Sequence, residues 1–341
     1  MKVAKLYSFY DIRIEEVPLP EPGPGEALIK TKASGICSGD VMPWYIEKKA
    51  PLVIGHEPAG EVVACGSGVT GVKPGDRVFV HHHAPCMACR HCMRGDFVQC
   101  EQWRRSQIIP GGIAEYVLIP EGNLKNDTLL LPDGVSCEDA ALIEPAACVV
   151  KSLRRSSIKK GDTVLIIGLG VMGMMHLLLA PHYGAAKTIG ADMVDFRLKK
   201  AEGLGIDCTI NVDQWDLADV IPALTEHKGA DIVIAGPNSV DVMEKAIQCA
   251  APGGTVVLFT PAMPGEALTM DPNYIYFRDI SIVASYSCGP DDTRRALQII
   301  EKGIINAGKL VTHRFSIDDT ETAYRTVAEG ADSLKVLIVF D

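Results

Sequence analysis

The sequence predicts an α/β fold in which a mainly β first part precedes a doubly wound parallel sheet, and three observations lead there. From Thr163 onward, short apolar runs alternate with segments long enough for helices. A glycine-rich turn, Gly168-Leu169-Gly170-Val171-Met172-Gly173, joins the first of those runs to the first of those helices. Residues 1–145, by contrast, read as short strands broken by Pro-Gly, Gly-Ser and Pro-Gly-Asp punctuation, with no long periodic helix.

In chain order, strands are expected at 26–32, 60–64, 77–81 and 114–119 in the first part. The second part offers apolar runs at 163–167, 188–191, 232–235, 255–259 and 280–284, with helices over 171–183 and 240–250 between them. Strands alternating with helices imply a parallel sheet covered on both faces. After Ser287 the pattern shifts to a helix near 292–302 and strands at 312–315 and 335–340, read as a tail that returns to the first domain. The expected division is 1–147, 148–287 and 288–341, the last segment completing the first.

Composition bounds the function. Hydrophobic residues make up 47% and charged residues 22% of the 341, the balance of a globular protein. No run approaches the roughly 20 apolar residues of a membrane span. Residues 1–10 lack the charged head and apolar run of a signal peptide, so the cytoplasm is the expected address. A formal net charge of −10 argues against nucleic acid and acidic membrane as partners. Lys151, Arg154, Arg155, Lys159 and Lys160 fall at helical spacing, which reads as a solvated face rather than a phosphate site. Eleven cysteines without an export signal point to metal binding rather than disulfides.

The glycine turn follows Val164-Leu165-Ile166-Ile167 and opens an apolar helix, the context that turns a weak string into a dinucleotide site. Gly168 permits the turn, Gly170 lets the backbone approach a pyrophosphate, and Gly173 lets helix and strand pack closely. The helix start at Val171 and Met172 offers free N–H groups to the phosphates. Asp192, nineteen residues beyond Gly173, can accept ribose hydroxyls and would repel a 2′-phosphate, which selects NAD. Arg197 is read as an adenine-stacking residue or a solvated helix residue.

Cys86, Cys89, Cys92 and Cys100 place four thiolates within fifteen residues, the spacing of a closed, structural zinc site, with an iron–sulfur cluster as the chemical rival. His81, His82 and His83 precede that lobe and are expected not to be ligands. Cys37, His56 and Glu57 stand apart from it in turn-rich settings. A thiolate, an imidazole and a carboxylate can hold zinc with one position open, although a His-Glu pair alone is more often structural.

Taken together, Gly35-Ile36-Cys37, the run from Gly55-His56-Glu57-Pro58 to Val62, Gly75-Asp76-Arg77-Val78, the cysteine lobe, Gly112 to Tyr116, Ile143-Glu144-Pro145, the glycine turn and Thr312 to Ile317 give the chain a resemblance to the zinc-containing medium-chain alcohol dehydrogenase family, in its sorbitol and threonine dehydrogenase branch. The resemblance implies a Rossmann domain inserted in a split, mainly β, GroES-like catalytic domain. It implies that Cys37 and His56 bind a catalytic zinc, with Glu57 as third ligand or near neighbour and Glu144 either ligating the zinc or holding its water. Two zinc ions per chain and NAD follow, as does assembly into a homotetramer or homodimer. One departure stands out. The hydroxyl that the family usually carries two residues after the first zinc cysteine is absent at Gly39, and Met42 stands where other members have a histidine. Ser38, or a water held by Glu57 or Glu144, is the expected proton route instead.

The expected reaction moves a hydride between a small secondary alcohol, of polyol, cyclic polyol or amino-alcohol type, and NAD, with the hydroxyl activated by Lewis acidity. The rivals are a zinc-free enone or quinone reductase on the same fold and a non-enzymatic binding protein. Trp44, Tyr45 and Trp103 are candidates for lining the substrate pocket.

Overall fold

The chain opens with an antiparallel hairpin, β1 (Lys2–Ser8) and β2 (Asp11–Glu16). Its alternation is masked in the sequence by Lys2, Lys5, Arg13, Glu15 and Glu16, while Val3, Ala4, Leu6 and Ile12 turn inward. The strand that organises this part is β3 (Ala27–Gly35), buried on both faces except at Lys30 and Lys32. β4 (Leu52–Val53) pairs with β1 to give the order β2-β1-β4. β5 (Glu57–Cys65) runs antiparallel to β3, from Ala27 opposite Cys65 to Gly35 opposite Glu57. β6 (Arg77–Val80), β7 (Tyr116–Ile119) and β8 (Thr128–Leu130) complete this stretch. The strand expected over 77–81 stops at Val80, because the N–H of His81 donates to the carbonyl of Asp127 instead of to a ladder partner (3.1 Å). A helix that the punctuation of the first part concealed, α1 (Ile143–Ser156), carries the chain onward with Val149, Val150 and Leu153 fully buried and Arg154 and Arg155 exposed.

Then the alternation begins. β9 (Thr163–Ile167), β10 (Lys187–Asp192), β11 (Cys208–Asn211), β12 (Ala230–Ala235), β13 (Ala250–Leu258) and β14 (Ser281–Ala284) form one fully parallel sheet in the order β11-β10-β9-β12-β13-β14. The helices between them are α2 (Val171–Leu179), α3 (Asp195–Gly203), α4 (Leu217–Leu224), α5 (Val240–Cys249) and α6 (Pro272–Phe277). The helix expected over 171–183 ends at Leu179. Pro181 has no N–H to continue it, and a separate 3₁₀ turn spans Pro181–Tyr183. Leu165, Ile189, Val233 and Val256 are fully buried between the helical layers, each contributing roughly 1.5–3 kcal/mol by leaving water.

The tail holds α7 (Pro290–Glu301), β15 (Val311–Phe315), α8 (Thr320–Glu329) and β16 (Lys335–Val339). β16 runs antiparallel to β3, with Leu337 opposite Gly35 and Val339 opposite Ala33, and β15 extends the sheet beyond it. The large sheet therefore has the order β15-β16-β3-β5-β6-β8, with β7 also on β3. This computed structural model describes all 341 residues and divides into two units, Met1–Ala147 with Cys288–Asp341, and Cys148–Ser287. In the first unit Ile36, Ile46, Ile54, Ile113, Val336 and Ile338 form a continuous core in which the tail is an integral layer.

A buried polar link also ties the tail in place. Asp127 accepts from the hydroxyl of Thr293 on α7 through one carboxylate oxygen and meets Nδ1 of His81 at 2.6 Å through the other, and all three residues are buried. Asp127→Ala leaves Nδ1 of His81 unsatisfied in the core, while the Thr293 hydroxyl keeps the Pro290 carbonyl, and is expected to lower the stability of this unit by about 1–3 kcal/mol, read from its unfolding midpoint.

Candidate active site and metal centres

Cys37 stands two residues beyond the end of β3 and caps a 3₁₀ turn, Ser38–Val41, its sulfur accepting the N–H of Gly39 at 3.3 Å. His56 and Glu57 arrive on the paired strand, where β5 begins. The register that sets Gly35 opposite Glu57 therefore brings three donors together. The sulfur of Cys37, an imidazole nitrogen of His56 and a carboxylate oxygen of Glu57 lie within 4.8 Å of one another.

The turn also supplies Asp40, which the sequence reading did not single out although it stands three residues after Cys37. Its carboxylate lies 3.1 Å from Nδ1 of His56. Burial opposes charge on both groups, but their mutual attraction outweighs it, raising His56 well above its ordinary pKa and lowering Asp40. Nδ1 is held in an ion pair by Asp40 rather than in hydrogen-bonding geometry, which makes Nε2 the ring atom better placed for a cation, and that cation would take the place of the imidazolium proton.

Glu57 is fully buried and ion-paired with Lys335 of β16, itself 1% exposed. The lysine also donates to the carbonyl of Ile36 at 3.0 Å. Gly35 leaves room for the pair, since a Cβ there would stand 1.8 Å from the Glu57 carboxylate and 2.6 Å from the lysine stem. Burial is the largest influence on Glu57 and pushes its carboxyl up, Lys335 and His56 pull it down, and Glu144 adds to the upward push. A lysine inside the apolar run from Leu334 to Val339 was the available signal for this partner.

Glu144, near the start of α1, joins a second group. Its carboxylate and the imidazoles of His81 and His82 offer donor atoms within 4.8 Å of one another. The two groups meet where the rings of His82 and His56 face each other, 4.7 Å between centroids. The structure thus brings Cys37, His56 and Glu57 into one cluster and Glu144 into a neighbouring one, while Ser38 is exposed and its hydroxyl makes no hydrogen bond. Gly39 has space around it, with Cys37 Sγ 3.5 Å from a would-be Cβ. Of the triplet expected not to supply ligands, His81 and His82 lie beside Glu144, and His56 is also a neighbour of His82. Burial, and then charged neighbours, hold the pKa of His82 well below the usual imidazole range.

The four sulfurs of Cys86, Cys89, Cys92 and Cys100 also lie within 4.8 Å of one another, and none is in a disulfide. The N–H groups of Ala88 and Cys89 point at the Cys86 sulfur and bring its pKa down to about 6, whereas burial drives Cys92 up to about 12. Trp103 is the core of this lobe, 2% exposed against Phe97, Val98, Cys92 and Cys100 with its ring 4.3 Å from that of His83. Its indole fills the centre of the lobe together with Phe97. Trp44 and Tyr45 stand on the short helix Pro43–Ile46 that follows the turn Ser38–Val41, with Lys49 3.7 Å from the tyrosine ring centre.

In the parallel sheet, the glycine turn sits at the carboxyl end of β9, the strand on either side of which the order reverses. Gly168 has φ +91°, and a Cβ on Gly173 would meet the carbonyl of Gly168 at 2.0 Å, so both positions require glycine. Gly170 caps α2 and faces open space, a cradle at the N–H groups of Val171 and Met172. Asp192 ends β10 and holds the turn, accepting from the N–H of Leu169 at 2.7 Å and of Val194 at 2.9 Å. Arg197 lies 3.5 Å from the same carboxylate.

Comparison with known proteins agrees with this geometry. Residues 23–133 match the alcohol dehydrogenase GroES-like domain, and residues 171–302 match the zinc-binding dehydrogenase domain. A sorbitol dehydrogenase of Halalkalibacterium halodurans is 33% identical over 95% of this chain and 94% of its own. An L-threonine 3-dehydrogenase of Rhizobium etli is 31% identical, covering 93% of this chain and 92% of its own. Among solved structures, a zinc-binding dehydrogenase of Sinorhizobium meliloti bound to NADP superimposes with a TM-score of 0.87 at 30% identity over 99% of both chains. A GroES-like unit with a cysteine lobe, a Rossmann sheet with its glycine turn, and relatives that match end to end make this chain a member of the zinc-containing medium-chain dehydrogenase family.

Proposed function

We propose that the protein is a zinc-dependent, NAD-linked dehydrogenase that interconverts a small secondary alcohol, of polyol, cyclic polyol or amino-alcohol type, and its ketone. The observation that carries this reading is the convergence of Cys37, His56 and Glu57 with the imidazole already oriented by Asp40. Four thiols gathered without a disulfide suit a second, structural zinc.

Charge supports Glu144 over Glu57 as the ligand. Lys335 already neutralises Glu57, which weakens that carboxylate as a ligand to a divalent cation. In this reading Cys37, His56 and Glu144 hold the catalytic zinc, and Glu57 fixes the floor beneath it and can hold a water. When bound, zinc lends Lewis acidity that favours the alkoxide form of the substrate, and the nicotinamide accepts the hydride. Asp40 keeps the His56 ring in one orientation. The N–H groups at Val171 and Met172 bind the pyrophosphate, and Asp192 receives the ribose hydroxyls from a position its backbone contacts fix. Trp44 and Tyr45 line the substrate side.

Assembly as a homodimer or homotetramer is supported by β14, the edge of the parallel sheet, and by Tyr276, Phe277 and Tyr286, which are 75%, 79% and 55% exposed nearby in sequence. The cytoplasm is the compartment that keeps eleven cysteines reduced.

A panel of secondary alcohols followed by NADH absorbance tests the reading. Cys37→Ala and His56→Ala are each expected to abolish turnover while NADH binding, read by fluorescence, persists. Near-normal turnover in either variant overturns the assignment. Asp192→Ala is expected to shift the ratio of kcat/KM for NAD over NADP toward NADP by about 10- to 100-fold, the loss of one or two charge-assisted hydrogen bonds to ribose.

A further inference from the structure

One buried histidine takes no part in the proposed chemistry. His176 lies in the apolar run of α2, is 1% exposed, and touches three elements of the second unit. Its Nδ1 stands 2.8 Å from the carbonyl of Met172, and its Nε2 stands 2.9 Å from the hydroxyl of Ser152 on α1, which is fully buried. Phe259, just beyond β13, meets the ring at 87° with 4.8 Å between centroids. Burial pushes the pKa of His176 down to about 4, so the ring is neutral and carries one proton. A carbonyl can only accept, which puts that proton on Nδ1 and leaves Nε2 to accept from Ser152. Both nitrogens are thereby used, and the ring has a single tautomer.

Met172 belongs to the first turn of α2, the turn whose N–H groups are offered to the pyrophosphate. Gly170 caps the helix without a side chain and Gly173 follows Met172, so this stretch is rich in backbone freedom. Asp192 anchors it on one side, through the N–H of Leu169. His176 anchors it on the other, at Met172. A leucine would fill the same space without desolvating two ring nitrogens and a hydroxyl, so packing alone does not account for a histidine here.

We infer that His176 is a positioning residue for the cofactor, holding the first turn of α2 through the Met172 carbonyl so that the N–H groups of Val171 and Met172 face the pyrophosphate. Ser152 holds the ring in turn. This rests on the dinucleotide site proposed above. A cradle fixed before the ligand arrives costs less to order on binding, so the contribution of the histidine falls on cofactor affinity rather than on the hydride step.

The test follows NADH binding by fluorescence in the zinc-replete enzyme, with steady-state kinetics and an unfolding midpoint on the same preparations. His176→Leu combined with Ser152→Ala removes both hydrogen bonds and leaves no buried polar side chain unpaired. Its Kd for NADH and KM for NAD are expected to rise about 10-fold, the loss of one anchoring hydrogen bond. The change should fall on KM more than on kcat, with the unfolding midpoint unchanged or raised. His176→Gln places its amide where Nε2 stands and should bind NADH as weakly as the double variant. His176→Asn places an amide N–H where Nδ1 stands, and is expected to recover the affinity to within about threefold of wild type. Wild-type affinity in the double variant or in His176→Gln overturns the inference. An equal loss in His176→Asn also overturns it, by making the histidine a packing residue only. If the double variant does not fold, the contrast between His176→Gln and His176→Asn decides. If the wild-type enzyme binds no NADH, the dinucleotide reading itself has failed.

Discussion

A lysine and a glutamate, both almost completely buried, face each other at the junction of β16, β3 and β5, and the first unit is arranged around that pair. Taking two charges out of water is costly, and the cost is recovered only when each stays paired and hydrogen-bonded. Lys335 satisfies this with Glu57 and with the carbonyl of Ile36, the residue before Cys37. The pair thus requires β16 to lie against β3, and requires Gly35 to lack a side chain. It also sets Glu57, and with it His56, at a fixed height relative to Cys37. A tail that begins some 140 residues after the first segment ends is in this way a condition for the donor cluster.

The same logic, in which a buried group is committed by a second partner, recurs around the site. Asp40 commits one nitrogen of His56 and leaves the other. Asp127 commits His81 and reaches α7 through Thr293. In the other unit Asp192 commits the main chain of the glycine turn, so the carboxylate proposed to bind ribose is already part of the turn's scaffold. Each arrangement fixes a functional atom before any ligand arrives, which is how a protein limits the ordering cost of binding.

What the sequence made legible were features carried by contiguous residues. The parallel alternation, the glycine turn with Asp192, and the four-cysteine spacing are local patterns, and the fold class and family follow from them. Misread features depended on distant partners or on competing local chemistry. The β1–β2 hairpin hid behind its charged outer face, and α1 behind the turn-rich stretch before it. Trp103 could be read as a pocket candidate or as packing, because aromatic character is visible in sequence and burial is not. Lys335 and Glu57 are far apart in the chain, and no spacing rule connects them. His82 was set aside because the nearby thiolates seemed to account for all the metal chemistry. Its proximity to His56 appears only when β5 and the segment after β6 are folded together.

The most direct test of the account is anomalous diffraction from crystals of the zinc-replete protein at the zinc absorption edge. The account predicts two peaks per chain. One lies among Cys86, Cys89, Cys92 and Cys100, and the other among Cys37, His56 and Glu144, with Glu57 still paired to Lys335. A single peak in the cysteine lobe, or a second peak bound by Glu57 with Lys335 displaced, would contradict it.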